Sequence, residues 1–304
     1  MLLAGVIFFG AFVAGPTLRT SAADALYKTI HRQLSSMAWL AFVVALASGV
    51  AWLVLLASEI GGNSPAQALA DGTVWTVLTK TQFGTDGTVR LAMASVLALV
   101  LCLPGGAPGR WAASATEAIA VLVAGGLLGS LAWAGHAAAT PGAAGTVHIA
   151  ADTLHLIAVG AWVGALLPLA IMLRGARTAG TSNAVMHHAT RRFSMLGTMA
   201  VAVILLTGLV NTYELSGTTA ALVGTDYGRL LLAKIGLFVA MVVIAAVNRL
   251  RLAPRLAIAD GESDANRQLQ RNSLVELGFG IVILGIVAVL GRMPPNAHDH
   301  LGHH

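Results

Sequence analysis

Long apolar runs alternate with short polar punctuation along almost the whole chain. Runs of this length with few internal charges can cross a bilayer as helices. Eight spans are predicted, at about 1–18, 33–58, 89–103, 112–133, 147–173, 193–213, 228–250 and 272–291. Arg19 closes the first, and Pro104-Gly105-Gly106 ends the third. The opening residues lack a basic n-region, so they read as a span rather than a signal peptide. Between the second and third spans, residues 59–88 are more polar and carry Asn63-Ser64-Pro65. A mildly amphipathic stretch there, around 75–83, is expected to lie at the membrane surface.

Composition agrees with an all-α, polytopic transmembrane bundle forming one integral membrane domain. The 304 residues are 57% hydrophobic and only 10% charged. A soluble domain carries about 25% charged residues. Cys102, the only cysteine, excludes an internal disulfide and a Cys-x-x-Cys metal motif. The basic pI does not imply nucleic acid, because the cations cluster in a few loops. Arg19, Lys28, Arg32, Arg110, Arg174, Arg177, Arg191, Arg192, Arg249, Arg251, Arg255, Arg267 and Arg271 make 13 of the 18 Lys and Arg, all on one side of the predicted topology. The positive-inside rule then puts both termini outside, the periplasmic side if the membrane is a bacterial inner one.

Candidate chemistry concentrates between Gly135 and Leu173. His148, Asp152 and His155 stand at i, i+4 and i+7. At about 100° per residue they share one helix face, with the two imidazoles roughly 10 Å apart along the axis. One ion reaches both only if other helices contribute or the helix breaks. His136 precedes them in a loop holding Pro141, Gly142 and Gly145, which is expected to fold it back over the start of the fifth span. Ionisable side chains at membrane depth point to function. A lone membrane histidine often does no more than hydrogen-bond a neighbouring helix. Three on one short segment, with a carboxylate between them, favour a metal site. Imidazole suits copper, zinc, iron and nickel, while thioethers favour Cu(I). Asp152 is a direct ligand or orients one imidazole from behind.

Other polar residues fall in or beside spans. Lys234 either balances Asp226 or Asp152 or snorkels outward as a structural cation. Asn211 and Tyr213 end the sixth span on the histidine side and can donate to a ligand or a headgroup. Glu276 lies near the opposite face from Lys234, so the two are not expected to pair. Met293 is a soft-ligand candidate beside Pro294-Pro295, whereas Met195 and Met199 read as packing. Gly125, Gly126 and Gly129 read as close-packing positions. The tail, residues 292–304, carries His298, His300, His303 and His304. It reads as a flexible metal-collecting tract or an appended tag, outside the core site.

Gly135-His136-Ala, Asp152-x-x-His155-x-x-Ala-x-x-Trp162-x-Gly164 and the following Leu-Pro168-Leu resemble the copper resistance protein D family. So do Arg192-Phe193-Ser194, Thr207-Gly208-x-x-Asn211, Gly228-Arg229-x-Leu-x-x-Lys234, Asn248-Arg249, Glu276 and Met293-Pro294-Pro295. The resemblance implies an inner-membrane protein of bacterial copper homeostasis. It would work with a periplasmic copper-binding protein and move copper, as Cu(I) or Cu(II), inward. It reaches His136, His148 and His155 most directly. No Gly-x-x-x-x-Gly-Lys-Ser/Thr loop is present, so ATP is not expected to drive the process. A transporter rather than an enzyme is expected. The alternative is a b-type cytochrome-like redox protein with haem between histidines.

Overall fold

The computed structural model describes residues 1–18, 24–103, 110–134, 142–178, 183–216, 224–256 and 262–293. Among these every element is helical. Lipid offers the backbone no hydrogen bonds, so a spanning segment must satisfy its own, as a helix does. In chain order the helices are α1 (Leu2–Leu18), α2 (Asp24–Gly61), α3 (Pro65–Ala70), α4 (Thr73–Lys80) and α5 (Gln82–Cys102). They continue with α6 (Arg110–Gly129), α7 (Gly142–Thr178), α8 (Asn183–Ser216), α9 (Asp226–Arg255) and α10 (Glu262–Leu290). A π-helical turn interrupts α1 at Gly10–Ala14 and α9 at Asn248–Leu252. His136 and the histidines from His298 to His304 lie outside the described residues.

Seven of these helices are long and apolar enough to cross a membrane. They match the second to eighth predicted spans. The first, α1, is apolar but shorter, at the lower end of the length that spans. Its role is interior: Phe9 and Val13 are fully buried, and Leu3, Val6 and Phe8 nearly so. Helix ends depart from the predicted edges because hydropathy locates the apolar stretch, not the helix, which runs on into the polar zone. Thus α5 starts at Gln82 rather than near 89, capped by the Thr81 hydroxyl, which accepts from the Gly84 amide at 3.1 Å. Arg90 is tolerated inside α5 because it donates to the Ser130 hydroxyl at 3.1 Å and carbonyl at 2.8 Å. Likewise α7 starts at Gly142, so the loop before His148 is shorter than predicted, and Gly142 and Gly145 are helical.

The polar connection after α2 is ordered by its own side chains. Ser64 and Gln67 form a reciprocal capping box at the start of α3. The Asp71 carboxylate accepts from the Thr73 hydroxyl and amide at 2.6 and 2.9 Å, and from Asn63 at 3.1 Å. Those bonds, from Thr73 first, hold Asp71 below the usual carboxylate range. Gly72 turns the chain at φ +78° into α4, where Trp75 is exposed.

The axis of the bundle is α7. In its most apolar stretch 61% of residues are buried, against 11% in α5 and α9. Trp162, Ala165, Leu166, Leu169, Met172 and Leu173 form the centre of the main core. It packs backbone to backbone on α1, where a Cβ on Gly5 would lie 2.1 Å from the Gly164 backbone. Only glycine permits that approach. Gly164 also precedes Pro168 by one helical turn, so the proline leaves the Gly164 carbonyl without its helical donor. The prediction for α6 holds at Gly129, where a Cβ would come within 2.8 Å of Thr153 on α7. Met195 and Met199 are 59% and 65% exposed on the outside of α8, so they pack against no core, contrary to the packing expectation.

Candidate metal site

The i, i+4, i+7 stripe on α7 forms as predicted, and α8 runs antiparallel beside it. His148 is buried at 4% exposure, while Asp152 and His155 are half-buried. Asn211 of α8 donates its amide to Asp152 Oδ1 at 3.3 Å. One turn along α8, Thr207 Oγ1 lies 2.9 Å from His155 Nδ1. Between them Gly208 presents no side chain, and a Cβ there would sit 3.8 Å from His155 Cε1. The Thr207-Gly208-x-x-Asn211 spacing is therefore the complement of Asp152-x-x-His155. It supplies an oxygen for the imidazole, a flat surface for its edge and an amide for the carboxylate.

The hydrogen bonds favour one tautomer of the ring. Thr207 spends its hydroxyl proton on the Val203 carbonyl at 2.7 Å, the usual back-bond of a helical threonine. Its oxygen is then an acceptor towards His155, so Nδ1 carries the proton and donates. Nε2 keeps its lone pair, the arrangement common in metal-ligating histidines.

Charge completes the site. Lys234 of α9 is half-buried and lies within electrostatic range of both Asp152 and His155, and His148 lies within range of Asp152. The other proposed counter-ion, Asp226, pairs with Arg229 at 3.4 Å. Met293 packs with Tyr227, Leu231 and Leu290 in a separate apolar cluster. Among the described residues no three His, Cys, Asp or Glu side chains close on one point. The stripe is a column of donors two turns long rather than a cage, as the rise of a helix requires.

Below His155 the column ends on an apolar plug. Trp162, two turns further along α7, meets Phe238 of α9 edge-on, with ring centroids 6.0 Å apart. Its indole also lies over Gly197 of α8. Thr207 is the site residue the sequence reading missed. The Thr-Gly-x-x-Asn motif was visible, but its meaning depends on which helix lies opposite.

Comparison with known proteins adds the lineage. A family model described as copper resistance protein D matches residues 187–290, and one for its N-terminal domain matches residues 1–146. Copper resistance protein D of Pseudomonas syringae pv. tomato is 31% identical over 300 residues, covering 97% of this chain and 93% of that protein. The chain belongs to the copper resistance protein D family. Two further relatives match over about half of it. Inner membrane protein YebZ of Escherichia coli K12 is 33% identical over 165 residues, 54% of this chain and 55% of that protein. Copper transport protein CutJ of Bacillus subtilis 168 is 34% identical over 169 residues, 56% of this chain and 29% of that protein. No solved structure matches. This member of the copper resistance protein D family is thus a multi-pass membrane protein. Its His148–Asp152–His155 stripe falls between the two segments matched by the family models.

Proposed function

We propose that the protein takes copper from the periplasmic side of the bacterial inner membrane and passes it inward through the bundle. The observation that carries this reading is the donor column on α7, held by Thr207 and Asn211 and balanced by Lys234. Family membership supports copper as cargo, as do the names of the Pseudomonas and Bacillus relatives. The name of the Escherichia coli relative supports the inner membrane. The clustering of cations on one side supports both termini being outside.

Copper arrives at His136 and His148, delivered by a periplasmic copper-binding protein, and moves to His155. The donor set fits: His155 offers Nε2, and Asp152 offers negative charge to a cation that would otherwise meet Lys234 alone. A nitrogen and carboxylate set accepts copper in a borderline-soft site. Release past His155 requires the Trp162–Phe238 contact to open. Binding and translocation make up the activity, with no covalent chemistry on the cargo.

Metal analysis of purified full-length protein tests the reading. Wild type should retain copper through dialysis, and His155→Ala should lose most of it. Equal copper in both would overturn the site. A Soret band in wild type that disappears in His155→Ala would replace copper with haem. Ligation needs neutral imidazoles, so copper affinity should fall at low pH, where protons compete for the ring nitrogens.

A further inference from the structure

At the opposite end of the same helices lies a second polar centre with different chemistry. A cavity of about 260 Å³ opens between α7, α8, α9 and α10. It has room for several waters at about 30 Å³ each. Trp162 roofs it on the side of the histidines, and Glu276 of α10 lines it at 1% exposure. Burying an ionised carboxylate is costly unless something neutralises it. Among the described residues no cation pairs with Glu276. Arg249, the other ionisable residue among the described residues that line the cavity, is exposed and donates instead to Thr198. From α7 the cavity receives Trp162 and Leu169, which do not ionise, and from α8 the hydroxyls of Thr190 and Thr198.

The amides decide what can neutralise Glu276. Asn248, at the π-helical turn of α9, donates Nδ2 to Glu276 Oε1 at 2.7 Å. Asn272 donates in turn to Asn248 Oδ1 at 2.6 Å, so the chain of donors runs from Asn272 through Asn248 to Glu276. A metal ion at Glu276 would therefore meet an N–H from Asn248, not its oxygen. A proton fits. Oε1 is committed as an acceptor, so the proton belongs on Oε2. Oε2 and Thr190 Oγ1 are both buried and both without a protein partner, and both residues line the cavity.

We propose that Glu276 is a proton-exchange site of the bundle, loaded and unloaded at Oε2 through this cavity. A proton from cavity water converts carboxylate to neutral acid, and its return to water restores the carboxylate. Asn248 stabilises both forms, since Oε1 accepts in each. The inference stands apart from the copper reading, because exchange at Glu276 requires no metal.

The test is infrared spectroscopy of full-length protein in lipid vesicles without metal, following the carbonyl stretch of protonated carboxylic acid as pH is cycled. With pH cycled only above the ordinary carboxylate range, between about 6 and 9, a band that appears and vanishes reversibly is expected, absent in Glu276→Gln and retained in Asp152→Asn. Thr190→Val keeps the volume but removes a buried hydroxyl that lines the same cavity. It should shift the titration midpoint of the band by several-fold in proton affinity. A band constant with pH, which a purely structural buried acid would show, overturns the proposal. So does a titrating band that survives Glu276→Gln.

Discussion

The two polar ends of the α7–α10 bundle solve opposite problems with similar means. Near His148 the residues are charged or ring nitrogens, and each is tied by a hydrogen bond or by charge alone. Near Glu276 they are amides and hydroxyls, joined in a directed chain from Asn272 through Asn248 to one carboxyl oxygen. The upper end leaves the Nε2 lone pair of His155 facing outward from its bond to Thr207, which suits a transition-metal cargo. The lower end turns its amide oxygen away and keeps one carboxyl oxygen free, which admits a proton and disfavours a metal. Trp162 belongs to both: its ring caps the lower cavity and closes the upper column. What separates the two proposed roles is which donor atoms are already spent.

The largest effect should come from a change that does not distinguish the two ends. Gly164→Leu would drive a side chain into the α1 backbone, where even a Cβ would meet the Met1 carbonyl at 2.7 Å. Overpacking of this kind costs about 1–3 kcal/mol or more. Thermal unfolding in detergent should show a clearly lowered midpoint, with copper retention and the Glu276 carboxyl band both lost. Survival of either end at wild-type level would show that α1 does not brace the bundle.

Next comes a change confined to the upper end. His155→Ala should lower copper affinity by more than about 100-fold, since loss of a supporting group alone costs 10–100-fold. The titrating carboxyl band should remain. Loss of both signals would mean the ends are not separable, and the comparison would fail.

The charge pair is expected to matter less. Asp152→Asn should weaken copper binding by about 10-fold, within the range for a supporting carboxylate. Lys234→Met removes a cation beside the column, so it should strengthen copper binding while Asp152 is present. Isothermal titration of both variants decides. Weaker binding in Lys234→Met would recast the lysine as a scaffold for Asp152 rather than a counter-charge.

What the sequence made legible follows from where the information lies. Spans were legible because apolar length is a property of one segment, and the α7 stripe because helical periodicity is too. Helix ends were not, because α2 and α5 continue past their apolar stretches on caps and side-chain partners such as Thr81 and Ser130. Residues whose role depends on a neighbour were harder. Asn211 was singled out for a ligand or headgroup, yet it serves Asp152. For Lys234 the sequence allows Asp226, Asp152 or an outward structural role, and the packing of α9 beside α7 puts it in electrostatic range of Asp152 and His155. Asn248 and Asn272 stand 24 residues apart on different helices, and nothing in either segment announces their bond. Met293 kept the chemistry of a soft ligand but landed among Tyr227 and Leu290, because the end of α10 packs on the start of α9.

The smallest expected effect is also the most specific. Thr207→Val preserves shape at α8 but removes the oxygen that accepts from His155 Nδ1. Without it the ring no longer prefers the tautomer that leaves Nε2 free, and part of the population presents an N–H to the incoming ion. Affinity should fall by less than about 10-fold, below the range seen when a stronger supporting carboxylate is lost. Nitrogen NMR of ring-labelled histidine should show the loss directly, as a single neutral tautomer in wild type and a mixture in Thr207→Val. Thr207→Ser keeps the oxygen and should restore the single tautomer, which a purely steric role for the threonine would not predict. If Thr207→Val leaves the tautomer unchanged, the hydroxyl does not orient His155, and the Thr-Gly-x-x-Asn motif acts through Gly208 and Asn211 alone.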